Sequence, residues 1–76
     1  MPKPLDGADR SQVPLSPAAD ARARTGLSQS RFAALLGVSP RTLQNWEQGR
    51  TRPSGAAQTL LAVAQRHPEV LRELAA

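Results

Sequence analysis

The sequence predicts an all-α fold of five short helices behind a disordered N-terminal arm. Three observations predict it: apolar residues recur at helical spacing from Ser16 onward, no period-2 alternation appears, and Ser/Pro starts alternate with Gly stops. Seventy-six residues are enough for one small domain. The chain divides at about Leu15. Residues 1–15, "MPKPLDGADRSQVPL", carry three prolines, mixed charge and no helical period, as a disordered arm or an expression tag does; residues 16–76 form the domain.

The first helix opens at "SPAADARARTG", where Ser16 caps, Pro17 suits the first helical position and Gly26 closes in the left-handed conformation. Its inward positions are mostly alanine, so it is expected to bury little area and to be the least stable of the set. The second, "LSQSRFAALLG", starts from Ser28, places Phe32, Leu35 and Leu36 at i, i+3 and i+4, and stops at Gly37. The third opens at Ser39 with Pro40 in its first turn and is expected to run to Gly49. A fourth follows the loop "RTRPSG", from about Gly55 to Arg66, with Leu60, Leu61, Val63 and Ala64 as its apolar face. Pro68 starts the fifth, with Val70, Leu71 and Leu74 on one side.

The second and third helices carry the chemistry. At about 100° per residue, Leu43 and Trp46 share one side of the third helix, while Arg41, Gln44, Asn45 and Gln48 fall in a roughly 100° arc on the other. A guanidinium and amides are the groups that bond bidentately to guanine and adenine edges in the major groove. A polar outer face is also what any surface helix shows. Only Gly37, Val38 and Ser39 separate the two helices, however, the tight turn of a helix-turn-helix, and Ala33 is small where they would cross.

Charge favours the same partner. Ten basic residues against six acidic ones give a formal net charge of +4 and a pI near 11.5, and nine of the ten are Arg. Three of those four net charges lie in residues 27–54, from Arg31, Arg41, Arg50 and Arg52 against Glu47 alone, whereas residues 55–76 balance at zero. "GRTRP" beside the outward amides therefore reads as phosphate-contacting rather than merely solvated.

Other classes find little support. There is no cysteine, so disulfides and thiolate metal sites are excluded. No cofactor or metal is expected, and the single histidine, His67, stands just before Pro68 at a helix junction with no catalytic constellation around it, so the chain is not expected to be an enzyme. No apolar run approaches membrane-spanning length and no signal-type segment begins the chain, so a cytoplasmic protein without a membrane partner is expected.

The stretch "GLSQSRFAALLGVSPRTLQNWEQGRTRPSG" resembles the lambda-repressor-like (Xre/Cro) DNA-binding domains, and the resemblance extends over roughly Pro17 to Leu74. With "LLAVAQRHPEVL" it is most similar to antitoxins of the HigA and MqsA type, which neutralise RelE-like ribonuclease toxins and repress their own operons. The resemblance implies that Pro40, Arg41, Gln44 and Asn45 face base edges of double-stranded DNA, and that Gln29, Ser39, Thr42, Arg50, Thr51 and Arg52 face phosphates. It also implies an ion pair between Arg22 and Glu47 that ties the first helix to the end of the third, with Trp46 and Leu43 in the core. A RelE-like toxin is the protein partner it implies. The chain departs from the antitoxin pattern in having Ala18 and Ala21 where larger aliphatic residues are usual, and a short, proline-rich N-terminal segment. Three readings stand beside one another: an autoregulating antitoxin, a free-standing Xre-type regulator, and a module that mainly binds a toxin. Val63, Leu71 and Leu74, in C-terminal helices that carry no net charge, are expected to form a homodimer that reads a palindromic operator.

Overall fold

A computed structural model describes residues 15–76; the arm expected over residues 1–15 lies, except for Leu15, outside the described residues. Five helices follow one another: α1 (Pro17–Thr25), α2 (Gln29–Leu36), α3 (Pro40–Glu47), α4 (Gly55–Arg66) and α5 (Pro68–Ala75), with no strand among the described residues.

Serine starts the first four. The hydroxyls of Ser16, Ser28, Ser39 and Ser54 each accept the backbone N–H three residues on, satisfying a donor that the first turn leaves without a partner. Glycine ends the first two: Gly26 and Gly37 both adopt φ 74°, where a side chain would be strained. The third helix stops at Glu47, short of the Gly49 expected. Gln48 is its last right-handed residue, Gly49 turns left-handed at φ 77°, and the Arg50 N–H returns to the Asn45 carbonyl at 2.9 Å. Glycine thus ends this helix from one position further out.

The core joins all five helices through Phe32, Leu43, Trp46, Leu61, Leu71 and five alanines: Ala18, Ala21, Ala33, Ala57 and Ala64. Leu27, Leu35, Leu36, Val38 and Val63 pack against it half-buried. On α4 the buried stripe is Ala57, Leu61 and Ala64, at i, i+4 and i+7, while Leu60, expected inside, keeps 39% of its surface exposed. The alanines of α1 have a consequence beyond small area. α1 packs more extensively against α4 than any other pair of helices does, and small side chains on both let the backbones approach closely.

Polar ties then fasten α1 at several points. Gln65 of α4 donates to Asp20 at 2.9 Å, and Arg72 of α5 donates to the Arg24 carbonyl at 3.2 Å. The hydrogen bond from Arg24, and next the one from Gln65, hold the Asp20 carboxyl below its ordinary value. Thr25, buried though polar, donates to the Arg22 carbonyl at 2.7 Å and accepts from the Leu27 N–H at 3.2 Å.

Leu71 requires a correction. Expected on a dimer face, it is 3% exposed and belongs to the monomer's own core, because α5 folds back on α1, α2 and α4 and covers that side chain itself. Val63 is half-buried against the same core, and Leu74, at 67% exposure, is the one of the three that faces outward.

Candidate nucleic-acid interface

The turn between α2 and α3 is built from its end groups. Gly37 donates to the Ala34 carbonyl at 3.1 Å and Val38 to the Ala33 carbonyl at 3.0 Å, so two of the last four carbonyls of α2 are satisfied within the turn. Val38 anchors the turn on the core, of which Ala33, fully buried, is a member. Ser39 then starts α3: its Oγ accepts the Thr42 N–H at 3.1 Å and donates to Thr42 Oγ1 at 3.0 Å.

On α3, Leu43 and Trp46 face the core at 0% and 8% exposure, while Pro40, Arg41, Gln44 and Gln48 are exposed and Asn45 is half-buried beside them. Among the described residues no side-chain hydrogen bond engages Arg41, Gln44 or Asn45. Of the other candidates, Ser39 and Thr42 lie at the start of α3, half-buried Gln29 at the first position of α2, and Arg50, Thr51 and Arg52, all exposed, in the loop between α3 and α4, where Thr51 and Arg52 also line the cleft beside Trp46. Arg31 is turned elsewhere. Its guanidinium donates to the Ala75 carbonyl at the end of α5, so one of the four arginines of this segment serves the fold.

The single acidic residue of the segment is occupied from within. Arg22 of α1 meets Glu47 with two hydrogen bonds, Nε to Oε2 at 2.6 Å and Nη2 to Oε1 at 3.2 Å, and its Nη1 donates to the Leu27 carbonyl at 3.3 Å. The bond to Glu47 raises the Arg22 pKa above its ordinary value, and the Glu47 side chain is 11% exposed. The carboxylate is therefore paired and turned inward, leaving the outer face of α3 without a negative charge.

One contact here escapes sequence reasoning. Ser16, read only as a cap, also donates its hydroxyl proton to the Glu47 carbonyl at 2.8 Å. The two residues are 31 positions apart, and neither has a local signal that would pair them. Beside this contact Trp46 lines an open cleft of about 520 Å³ with Pro17, Pro53 and Leu61. Among the described residues no group of His, Asp and Glu is arranged to hold a metal, and no helix is long and apolar enough to cross a membrane.

Comparison with known proteins adds to this geometry. A helix-turn-helix family model matches residues 19–64. Over 54 residues the chain is 54% identical to the antitoxin HigA-2 of Vibrio cholerae serotype O1, covering 71% of this chain and 52% of that protein. Over 53 residues it is 38% identical to YiaG of Escherichia coli K12, an HTH-type transcriptional regulator, covering 70% of this chain and 55% of the relative. The chain thus spans about half the length of the curated relatives it matches. A short turn between two packed helices, an outward polar arc on the second of them, and a family match running from α1 to α4 agree: the chain belongs to the helix-turn-helix family, in its Xre-like form.

Proposed function

We propose that this chain is a sequence-specific DNA-binding transcriptional repressor and the antitoxin of a type II toxin–antitoxin pair, acting in the cytoplasm on its own operon. The observation that carries the DNA reading is the outer face of α3, where the side chains of Arg41, Gln44 and Asn45 have no hydrogen-bond partner among the described residues while Glu47 is neutralised from behind. In this reading α3 enters the major groove as the recognition helix. Arg41 forms the bidentate guanine contact, Gln44 and Asn45 read adenine, and Pro40 touches a thymine methyl. Gln29, Ser39, Thr42, Arg50, Thr51 and Arg52 hold the flanking phosphates, with the N-terminus of α2 adding its partial positive charge.

The antitoxin role is supported by the identity with HigA-2, and a RelE-like toxin is the partner it proposes. A second reading, a free-standing regulator, is favoured by the similarity to YiaG. Copurification with the product of the neighbouring reading frame separates them: a stable complex favours the antitoxin, and its absence the free-standing regulator.

Specificity is the decisive test of the DNA reading. Arg41→Ala should lose about 1 to 3 kcal/mol on the duplex from upstream of its own gene and relax preference at one base pair. Binding-site selection with both proteins measures this, and equal losses on the upstream duplex and on random duplex would move Arg41 to the DNA backbone.

A further inference from the structure

Ser16 supplies one hydroxyl, with one proton to donate and lone pairs to accept. The structure uses both. Its oxygen accepts the Ala19 N–H at 3.2 Å, capping the start of α1, and its proton goes to the Glu47 carbonyl at 2.8 Å, at the end of α3. That carbonyl is among the last of α3, which have no partner within their own helix. One atom therefore terminates two helices. The dipoles agree as well, since the positive end of α1 meets the negative end of α3.

Glu47 is consequently held twice from α1, by its main chain through Ser16 and by its carboxylate through Arg22. The same Arg22 reaches the Leu27 carbonyl, immediately before the cap of α2. α1 thereby fixes the end of α3 and the entry of α2 relative to each other, although none of its own residues lies on the polar arc.

We propose that Ser16 is a positioning residue for sequence reading: its hydroxyl, shared between the start of α1 and the last carbonyl of α3, sets the pose in which α3 presents Arg41, Gln44 and Asn45. This rests on the DNA reading above. Bidentate base contacts tolerate little rotation of the helix that carries them, whereas contacts from flexible arginines to phosphates tolerate more. Loss of the clamp should therefore reduce discrimination and spare electrostatic affinity.

The two roles of the hydroxyl can be separated. Ser16→Asp keeps the acceptor that caps α1 but at neutral pH has no proton for Glu47, while Ser16→Thr keeps both functions. Ser16→Gly, which keeps a cap-compatible backbone without a donor, repeats the test should the aspartate variant fold poorly. In the Asp variant, affinity for the upstream duplex should fall about fivefold, the value of one ordinary hydrogen bond, with affinity for random duplex unchanged within about twofold and the salt dependence unaltered. The Thr variant should match the parent. Without DNA, amide exchange at Gln48 and Arg50, whose N–H groups close the end of α3, should quicken in the Asp and Gly variants and not in the Thr variant. Parent-like exchange and parent-like discrimination in the Asp variant would overturn the proposal, as would a Thr variant as defective as the Asp one. A parent protein that fails to prefer the upstream duplex would instead overturn the DNA reading, and with it the reading role of Ser16; the exchange comparison still decides whether the hydroxyl holds α3.

Discussion

Removing the Glu47 carboxylate leaves Arg22 with a single hydrogen bond, to the Leu27 carbonyl, in a place where its side chain is 31% exposed. A charge-assisted pair of this kind contributes about 1.5 kcal/mol or more, whereas an exposed arginine with no partner contributes close to nothing. Glu47→Ala should therefore lower Tm by about 5 to 10 °C in a domain of this size, and Arg50→Ala by less than about 2 °C. Thermal unfolding followed by circular dichroism measures both; equal values would show that the pair contributes nothing to the fold. At this scale the sequence was only partly legible. Glu47 and Arg22 came together through family resemblance, not through spacing, because their positions differ by 25. The Ser16 contact to Glu47 and the diversion of Arg31 to Ala75 were not legible, since each depends on helices that sequence distance does not relate.

Helix boundaries were far more readable, because their signals are local. Ser16 with Pro17 and Ser39 with Pro40 start helices, and Gly26 and Gly37 end them, within a few residues of the groups they satisfy. The end of α3 lies two residues before Gly49 because that glycine is not the last residue of the helix but the left-handed one beyond it, a difference of backbone conformation that residue type alone does not encode. The loop from α3 to α4 invites a test at the same scale. Arg50→Ala and Arg52→Ala should each reduce the log–log salt slope of DNA binding by about 0.9, the contribution of one phosphate contact. Arg31→Ala should leave the slope unchanged, because that guanidinium is spent on the end of α5. Fluorescence anisotropy over a salt series reads all three. A reduced slope for Arg31→Ala would place its charge on DNA, and unchanged slopes for the loop variants would remove the loop from the interface.

For the whole molecule, helical periodicity located the apolar faces but not which of their residues the monomer covers by itself. Leu71 and Leu74 lie three apart on one side of α5, yet one is buried and the other is 67% exposed. The difference depends on how far the small core reaches, a matter of volume that no hydrophobic pattern encodes. With Leu71 enclosed, the proposed homodimer rests on Leu74 and on Val70, which is 40% exposed one turn earlier on α5. Sedimentation at micromolar concentration should show a dimer that Leu74→Arg converts to monomer with its helical circular dichroism unchanged, since that side chain adds little to the monomer core, while the parent's Tm, unlike the variant's, rises with protein concentration. A parent that sediments as a monomer, or a variant that remains dimeric, refutes this interface.

The ties on α1 also govern when the domain can be finished. Gln65 lies 45 positions after the Asp20 it holds, and Arg72 lies 48 after the Arg24 carbonyl it caps. Of the five helices α1 is made first and waits longest for its partners, while α2 and α3 find each other across a three-residue turn. A nascent chain that has just made α3 holds the polar arc but not the packing that fixes it. A finished polar arc thus belongs to a chain that has been translated at least as far as α5, so that vectorial synthesis itself delays completion of the proposed interface.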